Sequence, residues 1–116
     1  MERFVENPDF LQELFLEEAW KNVDKIDGFI EFKANTEEFE VTAEEVNSLY
    51  RTMHSIKGSA AMMGYPAISE TAHAAEDLFS YLREESAPAQ KDLQMILQLL
   101  RMVSGFLKRE LRRLET

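Results

Sequence analysis

Apolar residues recur along this chain at steps of three and four, the period of α-helices that each bury one face. Leu16, Ala19, Val23, Ile26 and Ile30 keep that step, with Phe15 and Phe29 beside them, and predict a first helix over about 8–33. Val46, Leu49, Met53, Ile56, Ala60 and Met63 predict a second over about 43–63. Ile68, Ala72, Ala75, Phe79 and Leu82 predict a third over about 66–85. Leu93, Leu97, Leu100, Val103, Leu107, Leu111 and Leu114 predict a fourth over about 88–114. No β-type alternation and no internal repeat interrupts the series.

The punctuation agrees with the periodicity. Pro8, Pro66 and Pro88 each stand where a helix can begin, because the first turn has no use for the missing N–H. "ANTEEFEV" (34–41) and "ESAPAQ" (85–90) read as loops, and "GYP" (64–66) as a tight turn. Thr42 followed by Glu45 is a capping box at the start of the second helix. Four amphipathic helices with short connections imply an all-α, antiparallel up-and-down four-helix bundle in one domain, 1–116. That topology sets Lys108, Arg109, Arg112 and Arg113 near Glu13, Glu17 and Glu18, as surface pairs worth under about 1 kcal/mol each. No glycine or proline stops the fourth helix after Leu114, which is compatible with one domain of a longer protein.

Charge and composition narrow the function. The net charge of −9 argues against a nucleic-acid partner. No apolar run approaches the roughly 20 residues of a membrane span, and "MERFVENPDF" lacks the basic-then-apolar form of a signal peptide, so a cytoplasmic location with no membrane partner is expected. The absence of cysteine removes disulfides, thiolate metal sites and cysteine nucleophiles. The methionines read mostly as core filling, with Met62 at a partner surface.

The chemistry concentrates in "MHSIKGSAAMMG", 53–64. At about 100° per residue, Lys57 falls about 60° to one side of His54, Gly58 about 40° to the other, and Ala61 almost in line. The core stripe lies about 130° away, so His54 faces solvent. Gly58 weakens a helix interior by ~1 kcal/mol relative to alanine. Its missing side chain leaves space beside the imidazole, and Lys57 offers charge to an approaching anion. On the third helix His73 and Glu76 share a flank. His54 lies as far before Gly64 as Glu76 lies after Pro66, so a hairpin brings the two level. A carboxylate beside an imidazole holds one nitrogen as the N–H donor and leaves the other as a nucleophile.

Other readings explain less. A metal site from His54, His73 and Glu76 lacks the further inward glutamates of bundle carboxylate sites, no core position reads as acidic, and Lys57 repels a cation. A hydrolase needs nucleophile, base and oxyanion donors around a pocket, whereas Ser55 and Ser59 neighbour His54 only along one helix. His73 alone reads equally well as a hydrogen-bonded boundary residue. A non-catalytic helical scaffold for protein binding accounts for the bundle but not for Gly58, Lys57 and a level Glu76 coinciding.

The stretch "HSIKGSAAMMGYPAISETAHAAEDLFSYL" resembles histidine phosphotransfer (HPt) domains, which share the H-x-x-K-G core. The added "MG", the H-x-x-E-D around His73 and the opening "FLEEAWKNVDKID" resemble the N-terminal phosphotransfer domain of the chemotaxis histidine kinases. The resemblance implies that His54 accepts a phosphoryl group at Nε2 while Glu76 holds Nδ1–H. It implies that Lys57 sits beside the phosphoryl oxygens or helps hold the glutamate, and that His73 extends the network. Gly58 leaves room for a partner's active site, with Ser59 and Met62 at the docking surface. The implied partners are a histidine kinase catalytic domain as donor and a response-regulator receiver domain as acceptor. ATP is expected in the kinase and magnesium in the receiver. No cofactor or metal is expected in this chain, which has neither G-x-G-x-x-G nor a P-loop and so would carry phosphate in a phosphorelay rather than phosphorylate itself.

Overall fold

The computed structural model describes the backbone of residues 8–35, 41–84 and 90–116, and the side chains of 9–35, 41–84 and 93–116. Among the described residues the fold consists of four α-helices: α1 (Pro8–Ala34), α2 (Ala43–Met63), α3 (Pro66–Glu84) and α4 (Gln90–Glu115). Among the described residues each helix packs on its two neighbours in a ring α1–α2–α3–α4, and the backbones of the diagonal pairs do not approach closely. Bonds between helices fix the directions. Gln12 near the start of α1 donates to the Leu114 carbonyl at the end of α4, while Ser104 and Lys108, earlier on α4, reach Asp27 late on α1. Lys33 at the end of α1 meets Glu45 at the start of α2. All neighbours are therefore antiparallel.

Local chemistry sets the α2 boundaries. Thr42 is extended (φ −76°, ψ 159°); its hydroxyl accepts from the Glu45 N–H at 3.0 Å, and its own N–H donates to Glu45 Oε1 at 2.9 Å. Both halves of the capping box are thus formed. At the far end Gly64 adopts φ 77°, a left-handed conformation that glycine takes without Cβ strain. The N–H groups of Gly64 and Tyr65 turn back to the carbonyls of Ala61 and Ala60. Pro66 then begins α3 at once. Most of the expected 34–41 loop (36–40), most of the 85–90 break and the start at Pro88 lie outside the described residues.

The expected stripes form the core. Phe15, Ala19, Val23 and Ile26 of α1 face Val46, Leu49, Met53, Ile56 and Ala60 of α2 and the whole expected stripe of α3. The α4 leucines join them, with Leu114 half-buried and Ile96 fully buried in addition. Small residues at the contact, Ala60, Ala72 and Ala75, let α2 and α3 approach more closely than any other pair.

Three expectations are corrected. Among the described methionines only Met53 is buried and Met63 half-buried; Met62, Met95 and Met102 are exposed, because they fall off the stripes of their helices. The C-terminal cations do not pair with Glu13, Glu17 or Glu18. Lys21 takes Glu17 and Glu18 within α1, Lys108 reaches Asp27 at 2.6 Å, Arg113 pairs with Glu110, and Arg112 lies over the Trp20 ring. An acidic side chain is buried after all: Glu76 is only 7% exposed, and Lys33 is buried as well. No described helix is long and apolar enough to cross a membrane.

Candidate functional site

The α2–α3 hairpin brings the expected residues level. His54 Nδ1 lies 2.5 Å from Glu76 Oε2, and the Lys57 ammonium donates to Glu76 Oε1 at 2.8 Å. The imidazole projects outward, with 62% of its side chain exposed, while the glutamate beneath it is buried. Burial pushes the Glu76 carboxyl towards the neutral form, but hydrogen bonds from Lys57 and His54, and their charges, outweigh it and hold its pKa below the usual carboxylate value. Glu76 is therefore ionised near neutral pH and can only accept hydrogen bonds. It follows that Nδ1 carries the hydrogen and donates it to Glu76. In the neutral ring the lone pair then resides on Nε2, which has no bonding partner among the described residues.

Lys57 acts on the glutamate: it is half-buried and occupies the second oxygen, which fixes the carboxylate that fixes the ring. Gly58 is exposed, and a Cβ built there would meet nothing within 4 Å. Ser59 is half-buried and Met62 is 86% exposed, one turn beyond Gly58. His73 departs from expectation. Its Nε2 pairs with Asp77 at 3.4 Å on the exposed side of α3, and no hydrogen bond links it to Glu76. Its i,i+4 partner on its own helix is nearer than a carboxylate whose two oxygens are already engaged. The ligand atoms of His73, Glu76 and Asp77 lie within 4.8 Å of one another, but a cation there would displace the bonds Glu76 makes to His54 and Lys57.

The family model of the Hpt domain matches residues 11–116. The chain belongs to the Hpt domain family. No solved structure matches it. Hpt domains serve histidine phosphotransfer in phosphorelays and carry the phosphoryl group without an ATP site of their own. A bundle that exposes one imidazole edge and buries the carboxylate behind it has the form such a carrier needs.

Three residues around the site of this Hpt domain are not legible as site residues from the motif alone. Tyr50, one turn before His54, stacks with the imidazole at a ring-centroid distance of 6.0 Å and an interplanar angle of 18°. The Arg83 guanidinium lies 4.0 Å from the Tyr50 ring centre. Ser69 donates its hydroxyl to the Lys57 carbonyl at 3.2 Å, tying α3 to α2 beside Gly58. The four-residue spacing of Tyr50 and His54 was the available signal; the same count across the turn brings Arg83 level with Asn47.

Proposed function

We propose that His54 is the phosphoacceptor, taking a phosphoryl group at Nε2 from the ATP-dependent catalytic domain of a histidine kinase and passing it to the aspartate of a response-regulator receiver domain. The observation that carries this reading is the His54–Glu76 pair: Nδ1–H is committed to a buried carboxylate while the imidazole is exposed and its Nε2 has no bonding partner among the described residues. In the forward step the Nε2 lone pair attacks the terminal phosphorus of the donor, the N–P bond forms and the P–O bond to the leaving diphosphate breaks. Nδ1 keeps its hydrogen, so the ring becomes cationic, and Glu76 stabilises that charge where it develops. In the onward step a receiver carboxylate oxygen attacks phosphorus, the N–P bond breaks and the electron pair returns to Nε2. Phosphoryl transfer of this kind depends on positioning and electrostatics. Lys57 serves by holding Glu76. Magnesium belongs to the receiver's side of the exchange.

The proposal extends to the chemotaxis class of kinases as donor, on the likeness of the added "MG", the H-x-x-E-D around His73 and the opening "FLEEAWKNVDKID" to that subgroup. The test is incubation with a chemotaxis-type kinase core and γ-labelled ATP, followed by a chase with a receiver domain. Acid-labile, alkali-stable label on the wild type, lost on the chase and absent from His54→Gln, is the expected result. Undiminished label on His54→Gln moves the acceptor elsewhere, with His73 first in line.

A further inference from the structure

A nucleophilic imidazole needs more than a hydrogen bond at one nitrogen. A single bond from Nδ1 to Glu76 leaves the ring free to tilt about the Nδ1···O axis, and a side chain 62% exposed has little packing to prevent it. Phosphoryl transfer is sensitive to that tilt, because the attacking lone pair must lie in line with the leaving group. Something has to fix the plane of the ring.

Two residues off the motif are arranged to do so. The rings of Tyr50 and His54 are nearly parallel, 18° apart, at a centroid distance within the range of offset aromatic stacking. Tyr50 is half-buried against the core, so its own plane is constrained. Arg83 lies over Tyr50 at 4.0 Å and is held in turn by Asn47, whose Oδ1 accepts from the guanidinium at 3.3 Å. A guanidinium at that distance has the geometry of a cation–π contact. The chain of contact runs from Asn47 on α2 to Arg83 on α3, back to Tyr50 on α2, and on to His54. On the other side of His54 along α2 stands Gly58, with open space around it. The imidazole is therefore supported from the N-terminal side of α2 and open towards Gly58 and Met62.

We infer that Tyr50 and Arg83 are positioning residues for phosphotransfer: Arg83 braces the Tyr50 ring, and Tyr50 sets the plane of the His54 imidazole and with it the direction of the Nε2 lone pair. Neither touches the reacting atoms. The inference rests on His54 being the phosphoacceptor, but it makes a claim about the unphosphorylated ring that holds separately.

The experiment uses the whole chain and two readouts. NMR of the His54 ring in unphosphorylated protein reports its ring-current shift and order. The labelled-ATP assay with a kinase core reports the transfer rate. Tyr50→Phe keeps the flat face and should match wild type in both. Tyr50→Leu keeps apolar bulk and loses the face; it should mobilise the His54 ring and slow transfer about threefold to tenfold, the range expected from losing one aromatic contact. Arg83→Ala should have a smaller effect of the same kind, and Tyr50→Leu with Arg83→Ala should be no worse than Tyr50→Leu alone, since Arg83 acts through the tyrosine. A His54 ring as ordered in Tyr50→Leu as in wild type overturns the proposal. So does an Arg83→Ala loss that multiplies with that of Tyr50→Leu, which would mean direct contact with a partner. If wild type takes up no label while the NMR effects appear, the acceptor assignment fails and the ring-positioning role of the stack stands.

Discussion

Glu76 carries the heaviest demand on any single residue here, since one carboxylate fixes the tautomer of His54 through one oxygen and accepts Lys57 through the other. Glu76→Ala removes both the orientation and the negative charge facing a ring that turns cationic during transfer. Transfer from a kinase core should slow by at least about tenfold, equivalent to ~1.4 kcal/mol in the barrier. His54 remains present, so transfer should not vanish; an unchanged rate would make Glu76 a structural residue only. The same carboxylate makes stability depend on pH. Its pKa is lower in the folded than in the unfolded state, so the unfolded chain binds its proton first as pH falls. Its contribution is therefore complete above the ordinary carboxylate range and disappears as pH drops through the folded value. Glu76→Gln lacks the titrating group. The stability gap between wild type and Glu76→Gln in urea should be widest near neutrality and should narrow as pH falls below the ordinary carboxylate range. A gap that stays constant over that range would refute the ionised, doubly bonded carboxylate.

At the level of elements, two glycines in one helix-turn segment have opposite reasons to exist. Gly64 has φ 77°, where any Cβ is strained, and Gly64→Ala should destabilise the domain by about 1–2 kcal/mol by disturbing the stop of α2. Gly58 is helical and a Cβ there would meet nothing, so the fold does not require glycine. Gly58→Ala should raise the melting temperature, with a gain of up to ~1 kcal/mol, while slowing transfer to a receiver because the open approach to Nε2 narrows. Calorimetry beside a transfer assay checks both signs at once; a variant equally fast and more stable would leave the glycine unexplained. The two cases also mark how much was readable beforehand. The periodic stripes, the Thr42–Glu45 box and the Gly64 turn are local signals, and they are enough to level His54 with Glu76. Which carboxylate His73 chooses depends on side-chain reach within one turn of helix, and Asp77 lies nearer. The partners of Lys108 and Arg112 depend on how α1 and α4 are rotated about their own axes, which periodicity leaves open by tens of degrees. Glu76 sits one residue from the Ala72–Ala75–Phe79 stripe, so its burial follows from the close approach of α2, a packing result that no single helix records.

Across the whole molecule the bundle divides its labour. Every residue assigned to the site belongs to α2 or α3, the closest-packed pair, while α1 and α4 bind each other through their own polar ties. Asp27 is the centre of those ties: one oxygen accepts the buried Ser104 hydroxyl at 2.6 Å and the other takes the Lys108 ammonium at 2.6 Å. Asp27→Ala leaves the Ser104 hydroxyl in a buried position without its acceptor and removes a partly exposed ion pair. Hydrogen bonds to charged groups contribute about 1.5–3 kcal/mol, and the exposed pair adds little. The variant should therefore lose about 2 kcal/mol in urea denaturation, a sizeable share of the stability of a domain this size. Its phosphotransfer rate at a temperature well below melting should nevertheless equal that of wild type, since His54, Glu76, Lys57 and Tyr50 keep their relations within the α2–α3 hairpin. The comparison must be made per folded molecule, with the folded fraction taken from the denaturation curve. A rate that falls along with stability would show that the α1–α4 pair reaches the site through the shared core, by shifting Met53 or Ile56 under His54. A rate that holds would identify the hairpin as the functional unit and the other two helices as the support that keeps its apolar face from water.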